Sequence, residues 1–181
     1  MKLIPTKLAG VFILEPKIFQ DNRGYFTETY NKKVFETLGM TGNFIQDNQS
    51  KSLAAGTIRG LHFQRSPKAQ TKIVRCITGA IYDIAVDLRK KSPTYGQWVG
   101  VTLSEDNHRQ LVIPKGFAHG FCTLRPNTVV AYKVDEYYCG EADGGIHWND
   151  KALAIDWPTS EPILSEKDKQ LPKLSDIESS L

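Results

Sequence analysis

The strongest repeat in the middle of this sequence has a period of two residues, which is the repeat of β-strands and not that of α-helices. The clearest case is residues 80–88, where one face of a strand would carry Tyr82, Ile84, Val86 and Leu88 and the other Ile81, Asp83, Ala85 and Asp87. Further segments rich in β-branched and aromatic residues are 72–78, 96–103, 110–113, 117–123 and 128–135. So many short strands predict a mainly β fold, an antiparallel sandwich or jelly-roll barrel.

Helical segments are few and short. Residues 31–38 are the best candidate, because Asn31 is a favoured N-cap residue and Gly39 is a favoured residue just after a helix. The charged tail, 159–181, predicts one or two short helical turns. No repeat or linker divides the 181 residues, so we expect a single domain, 1–181, with its core over about 10–158.

The composition limits the classes of protein to which the chain can belong. A hydrophobic content of 40% and a charged content of 24% are typical of globular proteins, and a net charge of +3 gives no indication of nucleic-acid binding. The sequence has no apolar leader and no run of about 18 apolar residues, so we expect neither secretion nor a membrane span. Cys76, Cys122 and Cys139 have no C-x-x-C spacing and are expected to be free thiols in the cytoplasm.

Two short motifs resemble those of cupin barrels, which usually hold a metal ion. Residues 114–119, P-K-G-F-A-H, have the cupin P-x-G-x-x-H shape, and R-G-L-H-F-Q at 59–64 stands where cupins carry H-x-H and a nearby carboxylate. Here Gln64 replaces the second histidine, and no carboxylate follows closely. Because His62 and His119 alone cannot supply three or four protein ligands, we expect no metal and no cofactor. The histidines are then free for proton transfer.

The strand around His62 is predicted to line a pocket. Period-two alternation would place Gly60, His62 and Gln64 on one face and Arg59, Leu61 and Phe63 on the other. A face that carries a glycine, a histidine and a glutamine has room for a ligand. The alternative is a hydrogen-bonded core histidine, which is the commoner role of a lone histidine on a strand.

Several other polar residues stand where a β fold would bury them. Lys72 begins a predicted strand, and an inward charge there favours an anionic or enolate-like ligand. Asp83 would either offset Lys72 or orient a histidine, or it would face solvent. Tyr132, Tyr137 and Tyr138 are either packing residues or, where a hydroxyl reaches a cavity, a proton donor or a stacking surface.

The N-terminal third contains groups suited to a nucleotide. The segment 21–28 combines a cation, aromatic rings and a carboxylate, and 46–48 is a polar Gln-Asp-Asn cluster. Arg23 and Arg59 would suit a diphosphate, because a guanidinium group grips phosphate oxygens with paired hydrogen bonds. An aromatic ring with amide and carboxylate groups would suit a base. Each group alone could equally belong to a surface loop, and their combination favours a nucleotide-linked ligand.

The sequence closely resembles the dTDP-4-dehydrorhamnose 3,5-epimerases of rhamnose biosynthesis. The matching motifs, in the same order and spacing, are D-N-R-G-Y-F-T-E at 21–28, F-I-Q-D-N-Q-S at 44–50, R-G-L-H-F-Q at 59–64, K-I-V-R-C-I-T-G-A-I-Y-D-I-A-V-D-L-R at 72–89, P-K-G-F-A-H-G-F at 114–121, Y-K-V-D-E-Y-Y at 132–138, G-G-I-H-W-N-D at 144–150 and L-S-E-K-D at 164–168. The resemblance runs from about residue 10 to about residue 170.

This resemblance implies a cupin-like jelly roll that works as a homodimer, without metal or organic cofactor, on a dTDP-linked 4-keto-6-deoxyhexose. It implies that His62 is the base, oriented by Asp168 of the tail, that Tyr132 is the acid on the opposite face, and that Lys72 stabilises the enolate oxygen. It also implies substrate contacts, which are Arg23, Phe26, Glu28, Gln46, Asp47, Asn48, Arg59, Asp83, His119, Tyr138, Asp143 and Lys167. The 23–28 strand would reach the partner subunit.

Two alternatives stay open at the level of sequence. Relatives that epimerise a single carbon, C3 or C5, share these motifs, and the sequence near Tyr132 does not separate the two outcomes. A non-catalytic cupin that binds sugar nucleotides is the second alternative. The presence of all four catalytic candidates, His62, Lys72, Tyr132 and Asp168, favours an enzyme.

Overall fold

The computed structural model of the protein describes residues 1–177 and consists mainly of β-strands. In chain order the strands are β1 (Lys2–Pro5), β2 (Phe12–Glu15), β3 (Ile18–Asp21), β4 (Gly24–Thr27), β5 (Gln46–Ser52), β6 (Ile58–Gln64), β7 (Lys72–Thr78), β8 (Ala80–Asp87), β9 (Trp98–Ser104), β10 (Gln110–Ile113), β11 (Phe117–Thr123), β12 (Thr128–Val134) and β13 (Asp143–Gly145). The helices are α1 (Lys32–Thr37), α2 (Glu166–Lys169) and α3 (Leu174–Ile177). The end of the predicted tail, 178–181, lies outside the described residues.

Two antiparallel sheets form the body of the fold. One has the strand order β1-β2-β10-β7-β12-β5 and the other has the order β13-β6-β11-β8-β9. Their facing sides bury a common apolar core to which both sheets contribute, including Val74, Leu111, Ile81, Leu103 and Phe121. Neighbouring strands come from distant parts of the chain, as in a jelly roll. The predicted cupin-like, mainly β fold class is confirmed.

Most strands in the middle of the chain agree with the period-two pattern. Those predicted at 72–78, 110–113 and 117–123 have the predicted bounds, and the other three differ by one or two residues at one or both ends. The strands β1, β2 and β3, each of four residues, were not predicted from the sequence.

Strand β8 is buried on both faces, which explains why both faces are largely apolar. Its inner face contributes Ile81 and Ala85 to the core between the sheets, and its outer face contributes Ile84 and Val86 to a second cluster. The C-terminal part of the chain covers that outer cluster with Ile146, Leu153, Trp157, Leu174 and Ile177. The tail is therefore docked on the five-stranded sheet.

The helix predicted at 31–38 is confirmed as α1. The Asn31 side chain accepts hydrogen bonds from the backbone amides of Lys33 and Val34, and Gly39 follows the helix with a φ of 81°. Phe35 on this helix is buried against the outer side of the six-stranded sheet, next to Leu14 and other apolar side chains.

The three cysteines are free, as predicted. Cys76 and Cys122 are buried, and Cys139 is partly buried. Within residues 1–177, no helix is long and apolar enough to cross a membrane.

Strand β6 departs from the predicted alternation. His62 pairs with His119, whereas Arg59 pairs with Phe121, so β6 has one residue more than β11 across this interval and forms a β-bulge. The extra residue reverses the alternation. The prediction that Arg59 faces away from His62 is wrong, because both side chains line one cavity. Gly60 allows the close pairing, since a Cβ there would lie 2.7 Å from the backbone of β11.

Candidate active site

A cavity of about 400 Å³ lies between the two sheets and collects all four predicted catalytic side chains. The five-stranded sheet contributes His62 from β6, and the six-stranded sheet contributes Lys72 from β7 and Tyr132 from β12. Asp168 comes from α2 in the tail. His62 and Tyr132 therefore face the cavity from opposite sheets.

His62 and Asp168 form a hydrogen-bonded pair. Nε2 of His62 lies 2.6 Å from Oδ1 of Asp168, whose side chain is buried. Burial raises the pKa of the Asp168 carboxyl, but the hydrogen bond and charge of His62 outweigh it and hold that pKa below its ordinary value. An ionised Asp168 can only accept a hydrogen bond, so it selects the His62 tautomer with its proton on Nε2. The lone pair of Nδ1 is then available to a proton.

The backbone of the tail holds Asp168 in place. Hydrogen bonds of Ile163 with Gly56 and Ile58 tie the tail to the start of β6. Two residues later Ser165 caps α2, with its hydroxyl accepting a hydrogen bond from the Asp168 amide at 3.1 Å. Ser165 was not among the predicted site residues, although the S-x-x-D spacing is a capping signal that could have identified it.

Lys72 brings a cation into the same cavity. Burial lowers the pKa of its ammonium group from the ordinary value to about 8, and the carboxylates of Asp83 and Asp143 oppose that shift. The group stays mostly protonated at neutral pH. A poorly hydrated ammonium interacts strongly with negative charge that develops on a bound ligand.

Asp83 and His119 form a second buried pair beside Lys72. Nε2 of His119 lies 2.7 Å from Oδ1 of Asp83, and neither side chain reaches solvent to any extent. Burial raises the pKa of Asp83 and lowers the pKa of His119. Of the roles considered for Asp83, the structure therefore favours the orientation of a histidine and the offset of Lys72 over a solvent-facing position.

Tyr132 keeps its proton in this environment. Burial raises the pKa of its phenol above the ordinary value, and the positive charge of Arg59 opposes the shift by a smaller amount. Arg59 is exposed near the cavity mouth, where it donates hydrogen bonds to Oγ of Ser52 and the carbonyl of Lys51.

A smaller cavity of about 190 Å³ adjoins the first. The two share the lining residues His62, Lys72, Tyr132 and Lys167. The smaller one also contains the predicted substrate contacts Gln46, Asn48, Tyr138 and Asp143. Inner positions of β5 alternate from Gln46 to Asn48 to Ser50, and Ser50 lines the larger cavity. Period two could have identified Ser50, which the sequence analysis missed.

Five predicted substrate contacts line neither cavity, and these are Arg23, Phe26, Glu28, Asp47 and Asp83, the last of which is buried and hydrogen-bonded to His119. Arg23 and Phe26 belong to the separate hairpin of β3 and β4, where Arg23 pairs with Asp21 and Phe26 is 66% exposed. Asp47 points to the other side of β5 and pairs with Lys133.

Gln64 has a structural role at the position of the missing cupin ligand. Its amide makes three hydrogen bonds to backbone atoms. Within residues 1–177, no group of three or more His, Cys, Asp or Glu side chains is placed to hold a metal ion.

The chain is similar to known proteins over nearly its whole length. The family described as dTDP-4-dehydrorhamnose 3,5-epimerase matches residues 5–176. The dTDP-4-dehydrorhamnose 3,5-epimerase of Shigella flexneri is 52% identical over 93% of each chain. A crystal structure of the Bacillus anthracis enzyme of that name, with TDP and PPi bound, is 64% identical over 96% of this chain and 99% of that one, with a TM-score of 0.94.

A second solved structure carries a sugar nucleotide. It is the dTDP-6-deoxy-D-glucose-3,5-epimerase of Legionella pneumophila in complex with dTDP-4-keto-L-rhamnose. That protein is 46% identical to this chain and superposes with a TM-score of 0.95, covering 99% of this chain and 95% of its own.

Proposed function

The chain belongs to the dTDP-4-dehydrorhamnose 3,5-epimerase family, and we propose from this premise that it converts dTDP-4-dehydro-6-deoxyglucose into dTDP-4-dehydro-L-rhamnose. The reaction inverts C3 and C5, the two carbons that flank the ketone at C4. One observation carries the proposal: a His–Asp pair and a protonated tyrosine enter one cavity from opposite sheets, together with a buried lysine. The product is a precursor for cell-surface polysaccharide.

The first step is the removal of a proton next to the ketone. Nδ1 of His62 takes the proton, and the electron pair of the C–H bond moves to the C4 oxygen to form an enolate. Asp168 stabilises the imidazolium that results, because its ionised carboxylate accepts a hydrogen bond from Nε2 at 2.6 Å.

Lys72 makes this step feasible by stabilising the enolate oxygen. A proton beside a ketone is too weak an acid to leave unless the charge on oxygen is stabilised. A fixed cation aimed at developing charge contributes roughly 10²–10³ in rate. The Asp83–His119 pair completes the polar wall around Lys72.

The second step places a proton on the opposite face. The enolate is flat, so inversion requires an acid across the cavity from His62. Tyr132 occupies the opposite sheet with its phenol protonated, and it donates its proton to the carbon. Exchange with solvent then resets both side chains, and the cycle repeats at the second carbon.

The nucleotide occupies the exposed side of the site in this proposal. Arg59 binds the diphosphate, Tyr138 stacks on thymine, and Gln46, Asn48, Asp143 and Lys167 surround them in the smaller cavity. Arg23, Phe26 and Glu28 line neither cavity, and Asp47 points to the opposite face of β5. We infer a homodimer in which the hairpin of β3 and β4 reaches the partner. Its exposed Phe19, Tyr25 and Phe26 support an interface there.

The proposed reaction needs no metal or organic cofactor and no nucleic acid. Gln64 at the position of the second cupin histidine, and the absence of any carboxylate in residues 65–70, support the metal-independent mechanism. We place the protein in the cytoplasm, because its three thiols are unpaired.

Deuterium labelling tests the proposed function. In D₂O with dTDP-4-dehydro-6-deoxyglucose, we expect deuterium at both C3 and C5, resolved by proton NMR, and an unchanged rate in EDTA. Labelling at one carbon would assign the protein to the single-carbon epimerases. No labelling at either carbon would contradict the proposal and leave a binding protein.

Removal of the Arg59 side chain should weaken nucleotide binding. We expect Arg59→Ala to lower the affinity for dTDP about 10- to 100-fold, because a hydrogen bond to a charged group is worth about 1.5–3 kcal/mol. Calorimetry with dTDP alone measures this. Arg125→Ala is the matched control, since Arg125 is paired with Glu105 and Asp106 outside both cavities. Equal affinities for the two variants would show that Arg59 does not bind phosphate.

The pKa of Lys72 predicts how activity changes at alkaline pH. Lys72 must be protonated to stabilise the enolate, and its pKa is about 8, so kcat/KM should fall as the pH rises through about 8. Lys72→Arg should retain a lower activity whose alkaline decline lies at higher pH, because arginine does not lose its proton in this range. An identical decline in both proteins would assign it to another group.

A further inference from the structure

The segment after β12, residues 136–139, has no regular secondary structure, yet its backbone is held by side chains from three places in the chain. Gln64 at the end of β6 donates a hydrogen bond to the carbonyl of Tyr137 at 3.2 Å and accepts one from the amide of Cys139 at 2.8 Å. The two bonds bracket Tyr138 on both sides.

Two other glutamines hold the same segment. Gln70, in the loop before β7, donates a hydrogen bond to the carbonyl of Glu136 at 2.8 Å. Gln46, the first residue of β5, accepts one from the amide of Tyr138 at 3.3 Å. The three glutamines all line the smaller cavity. Four backbone groups of the 136–139 segment are thus satisfied by side-chain amides in place of a helix or sheet ladder.

Gln64 is the best placed of the three to fix this geometry. Only 7% of it is exposed, and its donor group also bonds the carbonyl of Lys68 at 2.6 Å. Both ends of the amide are engaged with backbone. The Tyr138 residue, in contrast, is 64% exposed, and its ring is not packed into the core. A fixed backbone with an exposed ring is the arrangement of a stacking surface that is ordered before its ligand arrives.

We propose that Gln64 and Gln70 are positioning residues that fix the Tyr138 ring for the thymine base of the substrate. The glutamine that stands at the place of a cupin metal ligand thereby serves nucleotide recognition. Neither residue contacts the reacting carbons in this role, which rests on the proposed function of Tyr138. Ordering the segment in advance lowers the entropic cost of binding, so the effect belongs to affinity and not to the chemical step.

The test exchanges one atom in Gln64. Gln64→Glu has nearly the same shape, keeps the acceptor for Cys139, and turns the donor toward Lys68 and Tyr137 into a negatively charged acceptor. We expect the Kd for dTDP to rise about tenfold, which corresponds to the loss of roughly one to two hydrogen bonds that hold the segment. The kcat at saturating substrate should stay within about twofold of wild type. Gln97→Glu, an exposed residue before β9, makes the same charge change as a control.

A double-mutant cycle with Tyr138→Ala shows whether Gln64 acts through the ring. In the Tyr138→Ala background, Gln64→Glu should have little further effect on the Kd. Full additivity would overturn the inference. If Tyr138→Ala alone leaves dTDP affinity unchanged, the stacking role in the proposed function fails instead.

Gln70→Glu provides an independent variant in case Gln64→Glu does not fold, as judged by its thermal unfolding. Gln70 has one hydrogen bond to the segment, so a smaller rise in Kd is expected, again absent in the Tyr138→Ala background. A fall in kcat with unchanged Kd for either variant would contradict a positioning role at the nucleotide.

Discussion

The His62→Ala protein is expected to lose both epimerisation and exchange of the sugar protons with solvent. The proposed base is then missing, and the loss of a positioned base costs roughly 10²–10⁴ in rate. Proton NMR in D₂O follows exchange at C3 and C5 directly. Binding of dTDP should stay close to that of wild type, because Arg59 and Tyr138 are intact.

Two further variants make this result specific. His147→Ala removes a histidine outside both cavities and should leave exchange unchanged. Asp168→Asn should reduce exchange strongly while His62 is still present, because an amide can hold the ring in the wrong tautomer. Exchange at the wild-type rate in His62→Ala would assign the base to another group.

The second large effect separates the acid from the base. Tyr132→Phe removes only a hydroxyl group, and deprotonation by His62 with Lys72 beside the oxygen should continue. Protons can then return only to the face they left. We expect deuterium incorporation with retention of configuration, while formation of the inverted product falls by roughly 10²–10⁴.

The stereochemistry of the label distinguishes the possible roles of Tyr132. Equal loss of exchange and inversion would mean that its hydroxyl is needed to form the enolate. Loss of neither would make Tyr132 a packing residue. Tyr82→Phe, which alters a tyrosine packed in the outer apolar cluster, is the control for removal of a phenol oxygen.

The sequence predicted the fold class well because period two is a local property. Residues 80–88 show the alternation most clearly, and the other segments from 72 to 135 are rich in β-branched and aromatic residues, so a mainly β fold could be inferred without knowing how the strands pair. The position of the Arg59 side chain could not be predicted in this way. It depends on one additional residue in β6 opposite β11, which is a property of a strand pair and leaves no trace in the alternation of either strand.

The residues of the candidate site also differ in whether the sequence alone could predict them. His62, Lys72 and Tyr132 lie on strands whose inward positions could be counted. Asp168 could be related to His62 only through the family resemblance, because the docking of the tail depends on contacts remote in sequence. The sequence alone did not decide whether Asp83 faces solvent or a cavity, because a polar residue on an alternating strand is compatible with both. The burial of Asp83 in the structure decides this.

The distance along the chain between His62 and Asp168 has a consequence during translation of the protein. The pair is separated by 106 residues, and the segment that follows Asp168 must still cover the outer apolar face of β8. At roughly 5–20 residues per second, the ribosome needs on the order of 5–20 s to add Asp168 after it has added His62. A nascent chain therefore contains His62 well before it contains the carboxylate that orients it. In the proposed mechanism, turnover of the dTDP-sugar reports that the segment carrying Asp168 has docked.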